Sequence, residues 1–367
     1  MSARRARQAG LTLIELMIAI VLASLLIGLV LDVYVRMTTA YRAQMAVSEA
    51  QQTLRSARDV IAVDLRMAGH RITRLRTATG AFGTTISDDL PAVSIDNGGG
   101  ANGTDIVRAY YADSSSFANV VSIAPDNESI VVDDAGLFRV DDIVVLTSPI
   151  LIEPPSPARK YVEHDACALK ITGITGTTDV QLDVAGGAPY NVANNGQCGV
   201  VAAAVPGGGV QMMLMRGLAY RIDPTRPELA ILQKSETGEL EDDWADLASG
   251  VVNLQIASRW VEPTDTIDDL DLDGDPGHDW YSGEAQETPD LTGTRPVDAI
   301  VQQLSVGITT RSNELSVVGS SATPEFYDAT NPDNNQFGDS ESVAVAPTHI
   351  YRGSRELVDL RNMGVGR

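Results

Sequence analysis

Residues 11–31 read LTLIELMIAIVLASLLIGLVL, an apolar stretch whose only charged residue is Glu15. At a rise of about 1.5 Å per residue, a helix of this length crosses a hydrocarbon core about 30 Å thick. The residues before it, MSARRARQAG, contain three arginines and no acid. Because positively charged flanks remain in the cytoplasm, the sequence predicts a single membrane span over residues 11–33, with the rest of the chain on the outer side.

Two common uses of such a stretch agree less well with these residues. A secretory signal peptide has an apolar region of about 7–15 residues and a small-residue cleavage site, whereas this stretch is longer and continues as Asp32-Val33-Tyr34. An ordinary signal anchor leaves Glu15 unexplained. A charged residue at the bilayer centre costs about 2.5–3.5 kcal/mol on insertion scales, so Glu15 is expected to have a partner.

The hexapeptide Gly10-Leu11-Thr12-Leu13-Ile14-Glu15 resembles the type IV prepilin signature. The resemblance implies that prepilin peptidase removes the basic leader, residues 1–10, after Gly10. Leu11 then becomes the N-methylated terminus, although the commoner residue there is Phe, and Glu15 becomes the fifth mature residue. Cleavage leaves an ammonium group one helical turn from Glu15. That ammonium, of the same chain or of a neighbour, neutralises the carboxylate and sets the axial register.

Helical patterning continues beyond the span. Apolar residues recur at steps of three and four along one stripe: Val47, Ala50, Leu54, Ala57, Ile61, Leu65 and Ala68. No proline interrupts residues 11–68, and Gly69 is a candidate C-terminal cap. We therefore predict one continuous helix with an amphipathic half over residues 34–70. We interpret the stripe as core beneath a head domain; an outside docking face is the alternative.

Residues 71–367 have a different texture, in which short β-branched runs alternate with turn residues. Residues 71–104 and 313–347 are predicted to be long loops. Pro206-Gly207-Gly208-Gly209 is either a hinge that divides two lobes near residue 207 or a simple hairpin turn. The predicted fold class is therefore α+β, with one long N-terminal helix packed on an antiparallel β-rich head, and the prepilin resemblance implies the same type IV pilin-like architecture. The predicted strands are 105–111, 129–132, 143–146, 217–222, 251–256 and 301–308.

Several segments, in chain order, resemble the PilW-like minor pilins. These segments are Asp64–Gly69, Asn102–Val107, Arg216–Ile222, Gly250–Gln255 and Val358–Asn362. The resemblance implies a non-enzymatic subunit that primes or caps pilus assembly at the tip. Its implied partners are prepilin peptidase, other minor pilins, the major pilin, a large tip adhesin and the inner-membrane assembly platform. The implied location is the bacterial inner membrane with the head in the periplasm, and then the pilus on the cell surface.

Three other identities remain open at this stage. A minor pseudopilin of a type II secretion system or of a competence system shares the same N-terminal signature. An anchored periplasmic enzyme or adhesin that acquired the prepilin helix is the third. The sequence contains neither a G-x-S-x-G elbow nor an H-E-x-x-H pair.

Cys167 and Cys198 are the only cysteines, and the predicted topology places both outside the cytoplasm, where oxidation is permitted. A disulfide between them closes a loop that stabilises the fold by about 3–4 kcal/mol in the chain-entropy model. Two free thiols are the alternative.

An acidic segment follows at residues 268–279. Asp269, Asp271 and Asp273, followed by Gly274, match the D-x-D-x-D-G pattern of calcium loops, in which several oxygens converge on the ion. Asp275 and Asp279 supply further oxygens. Trp280 stands where an EF-hand has its bidentate Glu, so two interpretations remain: a calcium site, or a solvated acidic loop.

The net charge is −22, from 27 basic and 49 acidic residues. Such a chain lacks the clustered cations that nucleic-acid binding requires, so no nucleic-acid partner is predicted. Four scattered histidines and two cysteines exclude a zinc-finger pattern.

Overall fold

A computed structural model describes residues 12–72, 74–76, 89–123, 129–152, 161–181, 209–238, 242–261, 280–282, 285–286, 300–312, 349 and 351–360. Helix α1 runs from Leu13 to Leu65, over 53 residues, and is therefore about 80 Å long. The predicted continuous helix over residues 11–68 is confirmed for residues 13–65, whereas residues 66–71 form a turn. Gly69 has a φ of 75°, and its N–H donates to the Tyr110 carbonyl at 2.9 Å. Gly69 thus ties the turn to the head instead of capping the helix.

The head is built from β-strands. In chain order they are β1 (Arg74–Arg76), β2 (Asp89–Pro91), β3 (Val93–Asp96), β4 (Ile106–Ile123), β5 (Ser129–Val132), β6 (Ile143–Ile152), β7 (Tyr161–Lys170), β8 (Gly173–Thr175), β9 (Asp179–Gln181), β10 (Gln211–Ile222), β11 (Ile231–Ser235), β12 (Ala245–Ser249), β13 (Val251–Val261), β14 (Trp280–Ser282), β15 (Ala285–Gln286), β16 (Ile300–Arg311) and β17 (Tyr351–Asp359).

These strands form two sheets. The larger sheet has the order β2-β1-β7-β6-β10-β4-β5-β9-β8, and in addition β3 pairs with β4, β11 with β10 and β12 with β11. The smaller sheet has the order β15-β14-β13-β16-β17. Neighbouring strands are antiparallel except for β1 and β7, which are parallel. The predicted antiparallel β-rich head behind one long helix is therefore confirmed.

A buried aspartate joins the two sheets. Asp105 precedes β4, and its N–H donates to the Leu254 carbonyl on β13 at 2.9 Å. One carboxylate oxygen accepts the N–H of Ile256 at 2.7 Å, and the other accepts the N–H of Gly98 at 3.1 Å. The turn before it places Asn102 and Gly103 at φ values of 55° and 76°, a left-handed conformation that Gly and Asn tolerate best. The segment Asn102–Asp105 therefore holds the two sheets together.

The main core lies between α1 and the two sheets. From the helix and the turn after it, Leu54, Ala57, Ile61, Ala62, Leu65 and Ala68 pack with residues of both sheets such as Tyr220 and Ile308. A second apolar cluster, around Phe138, Val144 and Cys167, contains no α1 residue among those described. The helix therefore completes one core, whereas the second core is formed by strands and loops alone.

Each predicted strand overlaps an observed one, although β4, β6, β10, β13 and β16 are longer than predicted. The prediction of a long loop over residues 71–104 is wrong where β1, β2 and β3 form. These strands are only three or four residues long, too short for an alternating pattern to be visible in the sequence. Residues 313–347, and residues 206–208 of the glycine-rich segment, lie outside the described residues, so the division into two lobes near residue 207 stays a prediction.

Candidate functional site

The helix begins with a reciprocal cap that uses Glu15. Thr12 is the N-cap, and the Glu15 N–H donates to its hydroxyl at 3.4 Å. In return, the N–H and the hydroxyl of Thr12 both donate to Oε2 of Glu15 at 3.0 Å. This arrangement satisfies orphan donors of the first turn, and it places a negative charge at the positive end of the helix dipole. Gly10 and Leu11, the predicted processing residues, lie outside the described residues.

The first part of α1 is bare. From Leu13 to Met45 no residue is buried, and the exposed fraction is 77% at Leu13 and 52% at Met45. The helix is long and apolar enough to cross a membrane, and none of its apolar window is buried within the chain. The predicted span is thus a helix whose whole circumference is open to lipid or to other helices.

The second part of α1 is held by the head. Ala46, Ala50, Leu54, Ala57 and Ile61 are buried, and the helix contacts β16 and β17. The Thr310 hydroxyl on β16 donates to the Ala50 carbonyl at 2.9 Å. The predicted apolar stripe is therefore core, as we expected, except that Val47 is only partly buried.

A polar network fixes the C-terminal end of the helix to the larger sheet. The Tyr220 hydroxyl on β10 donates to Asp64 Oδ2, and Lys234 Nζ on β11 lies 2.9 Å from the same oxygen. Burial, and then the hydrogen bond to the Asp64 carboxylate, raise the pKa of Tyr220 far above its usual range. Asp64 is therefore the point at which helix and sheet share a charge-assisted contact.

Two ion pairs at longer distance join the helix to β17. Glu356 approaches Arg58 at 3.8 Å and Arg66 at 3.9 Å, and its side chain is about one-third exposed. Exposed pairs of this kind contribute little to stability, about 0–1 kcal/mol. The attachment of α1 to the head therefore depends on the buried apolar stripe and the Asp64 network.

The predicted disulfide and metal site are only partly covered. Cys167 lies on β7 and is 1% exposed, within the second core. Cys198 lies outside the described residues, so its pairing with Cys167 stays a prediction. Asp269, Asp271, Asp273, Asp275 and Asp279 also lie outside them. Within the described ranges, no group of three or more His, Cys, Asp or Glu side chains is placed to hold a metal ion.

Sequence reasoning did not assign roles to Thr12 or to the residues of the Asp64 network. The Thr12 cap was recognisable from the sequence, because Thr-x-x-Glu before an apolar run is the capping-box pattern. Asp64 and Tyr220 are 156 residues apart, and a contact at that separation leaves no local pattern.

Residues 5–31 match the model of the prokaryotic N-terminal methylation motif. No curated protein and no solved structure matches the chain. The motif supports a type IV pilin or pseudopilin and implies processing by a prepilin peptidase and assembly with other pilins. With the apolar helix, it is also consistent with membrane anchoring.

Proposed function

We propose that this chain is a PilW-like minor pilin, a non-enzymatic subunit of a type IV pilus. In this proposal it primes or caps pilus assembly at the tip, as part of a complex with other minor pilins. Its further contacts would be the major pilin, a large tip adhesin and the inner-membrane assembly platform. The head would lie in the periplasm before assembly and at the pilus tip afterwards.

The observation that carries this proposal is that α1 has an N-terminal half that the chain does not bury and a C-terminal half that packs on the head. Residues 13–45 are not buried by the chain, so they must be covered by lipid before assembly and by neighbouring helices in a fibre. The C-terminal half, through Ala50, Ile61 and Asp64, fixes the head to that helix. On assembly, the exposed half of α1 would leave the lipid and pack against the helices of neighbouring subunits, while the head stays outside the membrane.

Glu15 supplies the polar step in this exchange. Its Oε2 is engaged by Thr12, whereas Oε1 accepts no hydrogen bond from the described residues. In the mature subunit the Leu11 ammonium would stand four residues before Glu15 in the sequence. A neighbour's ammonium that binds Oε1 would neutralise the carboxylate and fix the axial position of the incoming subunit.

The size and acidity of the head favour a minor role over a major one. A major pilin repeats along the whole fibre, and a head of roughly 300 residues is much larger than an ordinary major pilin's. The net charge of −22 further suggests docking through a defined surface on a basic partner.

A minor pseudopilin of a type II secretion or competence system is the alternative, because the methylation motif is common to both classes. The test compares a deletion strain with the same strain complemented by the wild-type chain. In the deletion strain we expect loss of surface pili by electron microscopy, with intact secretion of type II substrates and intact DNA uptake, and complementation should restore the pili. Normal piliation with a defect in either of the other processes would replace the pilin proposal with the pseudopilin one.

A further inference from the structure

The segment Asp32–Met45, which we call the stalk, connects the apolar span to Ala46, the first helix residue that the head buries. Its 14 residues extend about 20 Å. Large apolar side chains on it are more than half exposed: Val33, Tyr34, Val35, Met37, Tyr41 and Met45. If α1 stood upright in a membrane, all of this apolar surface beyond the interface would face water.

The apolar and charged residues of the stalk lie on different sides. Tyr34, Met37, Tyr41 and Met45 follow steps of three, four and four residues, so they share one face of the helix. Arg36 lies five full turns, or 18 residues, before the buried Leu54, so it is on the side where the head sits. There it forms an ion pair with Asp32 at 2.9 Å. The face formed by Tyr34, Met37, Tyr41 and Met45 therefore carries no charged residue, and Arg42 stands at its edge.

The stalk also satisfies its own hydroxyl groups. The Thr38 hydroxyl donates to the Tyr34 carbonyl at 2.9 Å, and the Thr39 hydroxyl donates to the Val35 carbonyl at 2.8 Å. Side chains that bond back to the preceding turn need no water for this purpose. Together with the Asp32–Arg36 pair, these bonds lower the cost of removing the stalk from bulk water.

We propose that, before assembly, the stalk face formed by Tyr34, Met37, Tyr41 and Met45 lies against the membrane interface, from the upper edge of the hydrocarbon core through the headgroup layer, with α1 tilted beneath the head. This inference rests on the membrane anchoring of α1. Tyrosine favours this layer because its ring is apolar and its hydroxyl is polar. Arg42, which flanks the face, reaches lipid phosphates by extending its side chain.

The lengths support a tilt. Residues 13–37 form about 36 Å of helix, and a tilt of about 34° places that length within a hydrocarbon core of about 30 Å. Tyr41 then lies about 5 Å above the hydrocarbon boundary, inside a headgroup layer about 5–7 Å thick. In an upright helix with Leu31 at the boundary, Tyr41 lies about 15 Å above it, in water.

The test uses the full chain in phosphatidylcholine vesicles that contain lipid brominated near the upper end of its acyl chains, which quenches nearby tryptophan. Tyr41→Trp is compared with Gln52→Trp, an exposed position farther along α1, and with Ala40→Trp, rotated by about 100° from Tyr41. The native tryptophans, all in the head, give a common background.

We expect bromine-dependent loss of emission for Tyr41→Trp, a smaller loss for Ala40→Trp and none for Gln52→Trp. Equal emission of Tyr41→Trp with and without brominated lipid, in protein that floats with the vesicles, overturns the inference and leaves membrane anchoring intact. A blue shift without quenching has the same effect, because a protein surface then covers the face. Failure of the chain to float overturns the anchoring as well.

Discussion

Replacement of Tyr220 by Phe removes one hydroxyl from the contact between α1 and the larger sheet. That hydroxyl donates to the Asp64 carboxylate, which Lys234 also approaches at 2.9 Å. A hydrogen bond to a charged group contributes about 1.5–3 kcal/mol. Because Asp64 retains its lysine and is about one-quarter exposed, we expect the lower end, about 1.5 kcal/mol of unfolding free energy.

The Tyr220 hydroxyl should also make the unfolding free energy fall at alkaline pH. The pKa of Tyr220 is raised in the folded state by burial and by Asp64, so folding favours its protonated form. Its contribution is fully present below the unfolded pKa of about 10, and it is lost as the pH rises above that value, by up to about 1.4 kcal/mol per pH unit. Tyr220→Phe should remove this part of the alkaline slope.

The assay is urea unfolding of the full chain in detergent, followed by the emission of the head tryptophans, between pH 7 and pH 11. Tyr41→Phe is the matched control, because it removes the same hydroxyl from a side chain that is 61% exposed; we expect a change within about 0.5 kcal/mol. If Tyr220→Phe has the wild-type midpoint at pH 7 and the wild-type alkaline slope, the reasoning is refuted.

Four further outcomes follow from the same observations. Gly10→Trp should leave an uncut precursor on immunoblots, and normal processing would contradict the prepilin assignment. Ile61→Ala, at a position 0% exposed, should lower the unfolding free energy by about 2–5 kcal/mol, whereas Val63→Ala, 57% exposed, should change it by less than about 0.5 kcal/mol. Alkylation of the unfolded chain should add mass at Cys167 only after reductant; labelling of the unfolded chain without reductant would exclude the disulfide. Calcium should raise the thermal midpoint of the head if residues 268–279 bind it, and an unchanged midpoint would leave them a solvated loop.

The parts of the fold with a strong local pattern were predictable from the sequence. The helix has a long apolar run, a stripe at steps of three and four and no proline, so its existence was correct and only its end differed. Residues 66–71 turn because the head supplies the partner for Gly69, namely the Tyr110 carbonyl. That partner lies far along the chain and is not visible in local propensity.

The strands follow the same rule. Ser129–Val132 agrees with its prediction residue for residue, because an apolar β-branched run is bounded there by turn residues. Arg74–Arg76 was missed because it forms a strand only by pairing with β7, around Ala166, and with β2, around Leu90.

The candidate site divides in the same way. Glu15 was found because a charge in an apolar run is conspicuous, and its Thr12 partner was readable from the capping pattern. Asp64 begins a segment that resembles the PilW-like minor pilins, but no local pattern marks its carboxylate. Its importance depends on Tyr220 and Lys234, which only the folded sheet brings to it.

Because α1 is one continuous helix, a small change in its orientation at the head moves its N-terminal end by a much larger distance. The part of α1 between Leu13 and Ala46 is about 50 Å long. A rotation of about 5° where the helix contacts the head therefore displaces the N-terminal end of the helix by about 4 Å, which exceeds the length of a hydrogen bond. Substitutions deep in the head that shift this contact should therefore misalign Glu15 without touching it. Defects in fibre growth would then map to residues far from the surface where subunits meet.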